Sequence, residues 1–378
     1  MKALLLAFSA KQQYHALRCA CDAGYTVHVL GKDMARKLRL SRYSSSYQEM
    51  TYRPGVASLD AAVEEISEAA RRWSVDIILP SDVVSTKLLT LIADRLPAPT
   101  CALPDPATFE KLNDKWWFYQ FCKREHLPTP ATWLFQSAGE ASSALVNQEI
   151  PLPVIVKPIG RMGGSGIFAI KTKADLARLE CTAYSPLLVQ EYIEGRDCGI
   201  AMLCNHGKVV AYAFQRHFEW GYQYDDDPRI LAIVQRIAAA TNYNGVAHFD
   251  VREATGAGDL TLIECNPRYW YSMFSLALAG LNFVKLSLET KSLDPDNPLR
   301  VAQKEVRVNR FLLQRLLSGA ALNDCDWRAL KYYFRDPVPI LQERLQLLDD
   351  DRAGIAGSLE EQTAALSHMS LPLKSLPS

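Results

Sequence analysis

Residues 245–268, GVAHFDVREATGAGDLTLIECNPR, constrain the fold more than any other stretch of the chain. Two short β-prone runs flank Gly256-Ala257-Gly258, which supplies turn geometry, so an antiparallel hairpin is expected. With the turn centred on Ala257, Asp250 falls opposite Glu264 and His248 opposite Asn266. Side chains alternate along a strand, which puts His248, Asp250, Arg252, Glu264 and Asn266 on one side and Phe249, Val251, Ile263 and Cys265 on the other. The second side is a core face. The first collects hard oxygen ligands of the kind that suit Mg²⁺ bound together with phosphates. A merely solvated outer face is the usual fate of charged strand residues, but Asn266-Pro267-Arg268 sets a cation beside the acidic pair and weighs against it.

The 378 residues carry 42 basic and 42 acidic side chains, and 48% are hydrophobic, which describes an ordinary soluble chain of two or three domains. Balanced charge, with no basic run interleaved with aromatics, argues against a nucleic-acid partner. The 9 cysteines are scattered without a CxxC pair, so neither zinc nor a disulfide framework is expected, and reduced thiols fit the cytoplasm. The opening MKALLLAFSA gives way at once to Lys11-Gln12-Gln13, as a first strand does and a signal peptide does not. The longest apolar run, 273–288, is interrupted by Gly280, Asn282 and Lys285, so no membrane span is expected.

Strand signals at 3–8, 26–30 and 76–79 alternate with helical signals at 12–23, 58–73 and 83–96, which implies a parallel α/β sheet. Ser58 reads as a helix N-cap. Asp82 stands where such sheets bind ligands, but a second N-cap is the favoured reading. Four prolines, Pro97, Pro99, Pro104 and Pro106, mark a boundary and exclude a long helix there. Asn113-Asp114-Lys115 then opens an aromatic helix. A small αβ unit follows: strand 132–135, helix 140–146, strand 154–157, glycine loop 160–166 and strand 167–171. The loop lies between two strands rather than before a helix, unlike a P-loop. Such a hairpin can close bare backbone N–H groups over phosphate oxygens, although an unliganded glycine turn remains the alternative. Lys157 ends an apolar strand and needs an anion, for which phosphate is the simplest supplier. Further strands are expected at 187–192, 198–203 and 209–214, and a helix from 228 to 242. The aromatics of 217–227 show no steady period, so this segment reads as a loop. With Tyr269, Trp270 and Tyr271, its Trp220, Tyr222 and Tyr224 would wall a pocket in which Asp225, Asp226 and Asp227 attract an amine. The alternative is packing on the lid or in a homodimer.

Taken in order, Asn113-Asp114-Lys115, Val156-Lys157-Pro158 with its glycine loop, Val189-Gln190-Glu191-Tyr192-Ile193-Glu194-Gly195, Asp250, and Glu264-Cys265-Asn266-Pro267-Arg268 resemble the ATP-grasp superfamily. The resemblance is to its carboxylate-amine ligases, related to D-alanine-D-alanine ligase and the carbamoyl phosphate synthetase large chain, and covers about residues 1–288. It implies that Lys115, Lys157 and the loop residues Gly163, Gly164, Ser165 and Gly166 contact ATP phosphates. It implies that Gln190 meets the adenine amino group, that Glu191 and Ile193 offer backbone to the adenine edge, and that Asp197 holds the ribose. Asp250, Glu264 and Asn266 match ligands of two Mg²⁺ ions, which Mn²⁺ can replace, and Arg268 matches a substrate- or phosphate-facing arginine. Relatives often carry Arg at the position of His248, so catalytic charge stabilisation is assigned to Lys157 and Arg268, with His248 and Arg252 as further candidates.

The implied fold class is α/β and α+β: a Rossmann-like preATP-grasp domain at 1–103, a linker helix and mobile lid at 104–186, a catalytic core at 187–295, and a helical extension with a polar tail at 296–378. The implied activity is an ATP-dependent ligase that joins a small-molecule carboxylate to an amine through an acyl phosphate, releasing ADP and phosphate. Carboxyphosphate or carbamoyl chemistry and a non-catalytic ATP-binding module are the alternatives.

Overall fold

The computed structural model describes residues 1–8, 12–160, 164–256, 258–307 and 309–338. Its described strands form three sheets that succeed one another along the chain.

The first sheet contains β1 (Lys2–Ala7), β2 (Thr26–Gly31), β3 (Ser44–Glu49) and β4 (Ile77–Leu79), all parallel in the order β3-β2-β1-β4. Helix α1 (Gln12–Asp22) covers one face, and α2 (Leu59–Trp73) and α3 (Val83–Ile92) cover the other. Both expected caps are present: Ser58 accepts from Ala61 N–H, and Asp82 forms a reciprocal capping box with Ser85. Strand β3 was not expected, because SSSYQE is a half-exposed edge with no apolar alternation. The proline run also conceals an element. Helix α4 (Pro106–Asn113) starts on its last proline, with Asp105 as cap, because proline at the first helical position forfeits no intrahelical bond. Helix α5 (Lys115–Arg124) follows at once, capped by Asp114.

The second sheet is antiparallel, in the order β5-β8-β6-β7: β5 (Thr132–Phe135), β6 (Val154–Pro158), β7 (Phe168–Ile170) and β8 (Leu187–Glu191). With α6 (Ala138–Val146) and α7 (Ala177–Glu180) it encloses its own apolar cluster, including Leu145, Val154, Val156, Ile170 and Val189.

The third sheet has six strands: β9 (Gly195–Asn205), β10 (Lys208–Phe218), β11 (Gly221–Asp225), β12 (Gly245–Ala254), β13 (Leu260–Asn266) and β14 (Lys304–Arg307). Their order is β13-β12-β9-β10-β11-β14. On one face Ile200, Met202, Phe214, Phe249, Val251 and Cys265 pack with α5 and α8 (Pro228–Thr241). On the other, Ala201, Leu203, Ala213 and Val246 join a cluster shared with α1, α9 (Met273–Leu278) and α10 (Phe283–Leu288). The first and third sheets therefore share one continuous core, whereas the second keeps a separate one.

Three expectations change. The hairpin register is as read, His248 opposite Asn266 and Asp250 opposite Glu264, but a bulge follows and Val251 pairs with Leu262. Ile263 is the extra residue; Leu262 takes the core position and Ile263 is only half-buried. Next, 217–227 is not a loop. Residues 217–218 complete β10, Glu219 and Trp220 make a turn, and β11 returns antiparallel, with Tyr224 fully buried. The turn restarts the two-residue period, which is why no steady period shows across the segment. Tyr269 likewise belongs to the core, its hydroxyl paired with Ser287 Oγ, and walls no pocket. Finally, the extension is not purely helical: β14 adds to the edge of the third sheet before α11 (Asn309–Leu317) and α12 (Asp324–Arg335). Beyond α12, the fully buried Asp336 carboxylate accepts from Tyr14 Oη at 2.7 Å, from Arg42 N–H at 3.0 Å and from Ser41 Oγ. The turn residue Ala257, the loop residue Gly163 and the tail 339–378 lie outside the described residues. No described helix is long and apolar enough to cross a membrane.

Candidate active site

Strands β6, β8, β12 and β13 and helix α5 bring the predicted residues together on one face of the third sheet. Lys157 ends β6 and is 2% exposed; its Nζ donates to Gln190 Oε1 at 2.8 Å on the neighbouring β8. Gln190 in turn donates to Thr132 Oγ1, so the amide expected to meet adenine also buttresses the lysine. Lys115, the first residue of α5, places Nζ 3.4 Å from Glu264 Oε2 and 3.3 Å from the carbonyl of Ile159 just past β6. It thus spans the second and third sheets. Burial strips water from the Lys157 ammonium and pushes its pKa down to about 8; Lys115 adds to this, while Glu264 and Asp250 oppose it.

Across the third sheet, Gln215, Gly199, Asp250 and Glu264 form a row on four adjacent strands. Asn266 Nδ2 lies 3.4 Å from Asp250 Oδ2, and its Oδ1 accepts from Arg268 Nη2 at 2.7 Å. Crowding by protein would raise the Asp250 carboxyl, but the neighbouring His248 ring and Glu264 carboxyl hold it below the ordinary range. Arg268 is 6% exposed, its pKa is lowered by burial, and its Nε has no hydrogen-bond partner. A buried guanidinium N–H without an acceptor is costly unless an anion arrives. Two adjacent carboxyls with an amide oxygen are also a donor set that suits Mg²⁺, so these residues fit the implied metal.

The remaining candidates are more dispersed. Gly164 and Gly166 take positive φ of 76° and 77° on either side of Ser165, and the Gly166 carbonyl accepts from Tyr184 Oη at 2.6 Å. Glu191 N–H is committed to the Ala131 carbonyl and the Ile193 carbonyl to Arg252 Nε, so only their other backbone groups can serve a base edge. Arg252 also pairs with Asp197. Arg252 thus stands two residues along β12 from Asp250, opposite Asp197 on β9. The three aspartates expected to attract an amine are similarly occupied: Asp225 by Arg216, Asp226 by Arg300, and Asp227 by capping α8 and pairing with Arg229. A cavity of about 720 Å³ opens beside Asp197, lined also by Arg196, His217, Phe218 and Glu253.

Two residues central to the arrangement were not singled out by sequence. Gly199 is required by close approach, since a Cβ there would lie 2.4 Å from His248 Nε2 and 2.8 Å from Gln215 Nε2. Gln215, 3% exposed, contacts His217, His248 and Ser272. A polar side chain sharing a strand face with Ala211 and Ala213 was the available signal for Gln215.

A family model described as "ATP-grasp in the biosynthetic pathway with Ter operon" matches residues 183–311, and a RimK-like ATP-grasp domain model matches residues 112–221. Among curated proteins, the chain is 26% identical over 227 residues to a D-aspartate ligase from Enterococcus faecium (strain Aus0004), covering 50% of this chain and 52% of that one. It is 25% identical over 215 residues to the mitochondrial arginine-specific carbamoyl phosphate synthase large chain of Neurospora crassa, covering 50% and 18%. The chain thus spans about half the length of the first relative and less than a fifth of the second. Among solved structures, a biotin carboxylase from Campylobacter jejuni superposes with a TM-score of 0.58 at 19% identity, covering 76% of this chain and 70% of that one. An L-amino acid ligase from Bacillus licheniformis gives 0.55 at 15% identity, covering 77% and 74%. The two structural likenesses show a shared fold.

Proposed function

This chain belongs to the ATP-grasp superfamily, and from that premise we propose that it is a carboxylate-amine ligase that forms an amide through an acyl phosphate, with ADP and phosphate released. The observation that carries the reading is the convergence of Lys157, Lys115, Arg268 and the Asp250/Glu264 pair, drawn from two sheets and a connecting helix, on one face of the third sheet.

Phosphoryl transfer to a carboxylate needs alignment and charge neutralisation more than covalent help. Lys157, desolvated and held by Gln190, is a point charge for phosphate oxygens, and Lys115 is a second one poised between the sheets. The unpartnered Arg268 Nε offers an N–H to a carboxylate or to its phosphorylated form. Asp250, Glu264 and Asn266 would hold Mg²⁺, which when bound neutralises phosphate charge. Gln190, Glu191, Ile193 and Asp197 run along β8 into β9 and would seat adenine and ribose. The second sheet, with its own apolar cluster, acts as the lid, and Gly164, Ser165 and Gly166 close over the phosphates. Water exclusion by that lid protects the acyl phosphate until the amine attacks. Residues 1–103 and 187–295 form the two walls that the lid closes against.

The second reading is carboxyphosphate chemistry, favoured by the likeness to a biotin carboxylase. Phosphate release measured over a matrix of carboxylates and amines, with bicarbonate as one of the acids, separates the two. Release that requires one organic acid and one amine together supports the ligase. Release with bicarbonate alone supports the second reading, and ATP binding with no acid-dependent release in any cell of the matrix would reduce the chain to a binding module.

A further inference from the structure

A run of buried hydrogen bonds leads away from Lys157 across the second sheet. Thr132 on β5 is paired directly with Gln190 on β8, and Gln190 lies diagonal to Lys157 on β6, where its direct partner is Ile155. Side chains alternate along each strand, so Thr132, Gln190 and Lys157 share one face, while Val154, Val156 and Val189 of the apolar cluster take the other. Exposure is 4% for Thr132, 3% for Gln190 and 2% for Lys157. Lys157 Nζ donates to Gln190 Oε1 at 2.8 Å, Gln190 Nε2 donates to Thr132 Oγ1 at 2.8 Å, and Thr132 Oγ1 donates to the Pro130 carbonyl at 3.0 Å. The far end of the run is tied to the third sheet. Next to Pro130, the Pro128 carbonyl accepts from Leu262 N–H at 2.8 Å and Thr129 Oγ1 donates to the Leu262 carbonyl at 3.1 Å, two residues from Glu264 on β13.

The direction of each bond is forced from both ends. An ammonium only donates, so it takes the amide oxygen and turns Nε2 toward Thr132. A carbonyl only accepts, so it takes the one hydroxyl hydrogen of Thr132 and leaves an Oγ1 lone pair for the amide. We propose that Thr132 is a positioning residue that, through Gln190, holds Lys157 in place for the phosphates of ATP and registers it against the connector joining the second sheet to β13. The hydrogen bonds stand on their own, but the meeting of Lys157 with phosphate rests on the ligase reading. An ammonium has three hydrogens, and Gln190 is the one acceptor for this one among the described residues, so two hydrogens are left for phosphate oxygens. The neutral amide fixes the ammonium without cancelling its charge. A carboxylate at the same place would pair with it and compete with the phosphate.

The test is a double-mutant cycle on the full chain, read as Mg²⁺-ATP affinity by calorimetry, with Thr132→Val, Lys157→Met and the two combined. Thr132→Val keeps the shape of the side chain and removes the hydroxyl. It should weaken ATP binding about threefold to tenfold, the range set by one lost hydrogen bond. In the Lys157→Met background it should add no further loss, because the two residues act as a unit. Thr132→Ser, which keeps the hydroxyl, should bind ATP as the wild type does. If Thr132→Val does not fold, Thr132→Ala carries the same cycle. The proposal is overturned by an unchanged affinity in the single variant, by a Ser variant as weak as the Val variant, or by the same fold loss with and without Lys157. That last result would mean that Thr132 acts on adenine or on the fold at large. Because the cycle is read on binding, the expected cycle with no acid-dependent turnover would sink the ligase reading alone, and acid-dependent turnover with additive losses would sink only this inference.

Discussion

The two faces of the third sheet are built from the same strands, yet they are governed differently. On one face Ile200, Met202, Phe249, Val251 and Cys265 each touch several apolar neighbours, and every contact is interchangeable in kind. On the other, one residue away in each case, Gly199, His248, Asp250 and Glu264 meet partners that only one geometry satisfies. The apolar face is expected to tolerate small volume changes at a cost in stability, whereas these polar positions of the other face should tolerate almost none in function while giving little to stability. The β-strand period of two is what lets a single hairpin serve both.

The sharpest way to break this comparison is Glu264→Ala. Turnover, followed as acid-dependent phosphate release, should fall by about 10²- to 10³-fold, the loss seen when a preorganised electrostatic group is deleted. The melting temperature should hardly move, because Glu264 faces away from the apolar cluster. Retained turnover would remove the metal assignment. The reciprocal change, Phe249→Ala, should cost about 3–5 kcal/mol in chemical denaturation, with activity per folded molecule largely preserved. A variant that stayed stable but lost activity would show that the faces are not separable.

Lys157→Met keeps the buried stem and removes the charge. ATP affinity by calorimetry should drop at least tenfold, about 1.4 kcal/mol, while the nucleotide-free protein becomes no less stable. The pH dependence follows from the same lysine. Its folded pKa of about 8 is below its ordinary value, so above pH 8 the folded protein gives up a proton that the unfolded chain still holds. This lysine's contribution to apo stability should therefore rise with pH above 8, while ATP affinity falls over the same range as the phosphate-binding charge is lost. In Lys157→Met both trends should disappear. The smallest expected effect is Trp220→Ala. Trp220 stacks on Phe218 at 4.9 Å and lies 5.8 Å from the Arg307 guanidinium, at the tip of the β10–β11 turn. Substrate KM should change by less than about threefold and ATP KM not at all; a large change in acid or amine KM would restore the pocket first read from the sequence, and a change of oligomeric state alone would make the tip an interface.

What the sequence made legible follows from locality. The pairing of Asp250 with Glu264 could be read because a glycine-rich turn fixes register from a few residues away, and the Ser58 and Asp82 caps because capping is settled within one helical turn. The bulge at Ile263 could not, since it reflects how Leu262 fits a core assembled from distant strands. Gly199 was silent for a related reason: what matters about it is the space it leaves for His248, 49 positions away, and nothing in its own neighbourhood records that, whereas Gln215 offered only its polarity on a face with Ala211 and Ala213.

Asp336 has a consequence for the order in which the chain is made. Its carboxylate satisfies the hydroxyl of Tyr14 and the backbone of Arg42, the first of these across 322 positions. During synthesis the first sheet leaves the ribosome long before that acid exists, so those buried donors must wait on water or on transient helpers. Contacts of such separation are closed late and slowly. A nascent chain stalled before residue 336 should therefore hold an N-terminal sheet that a protease can still open, and release of the next few residues should shut it.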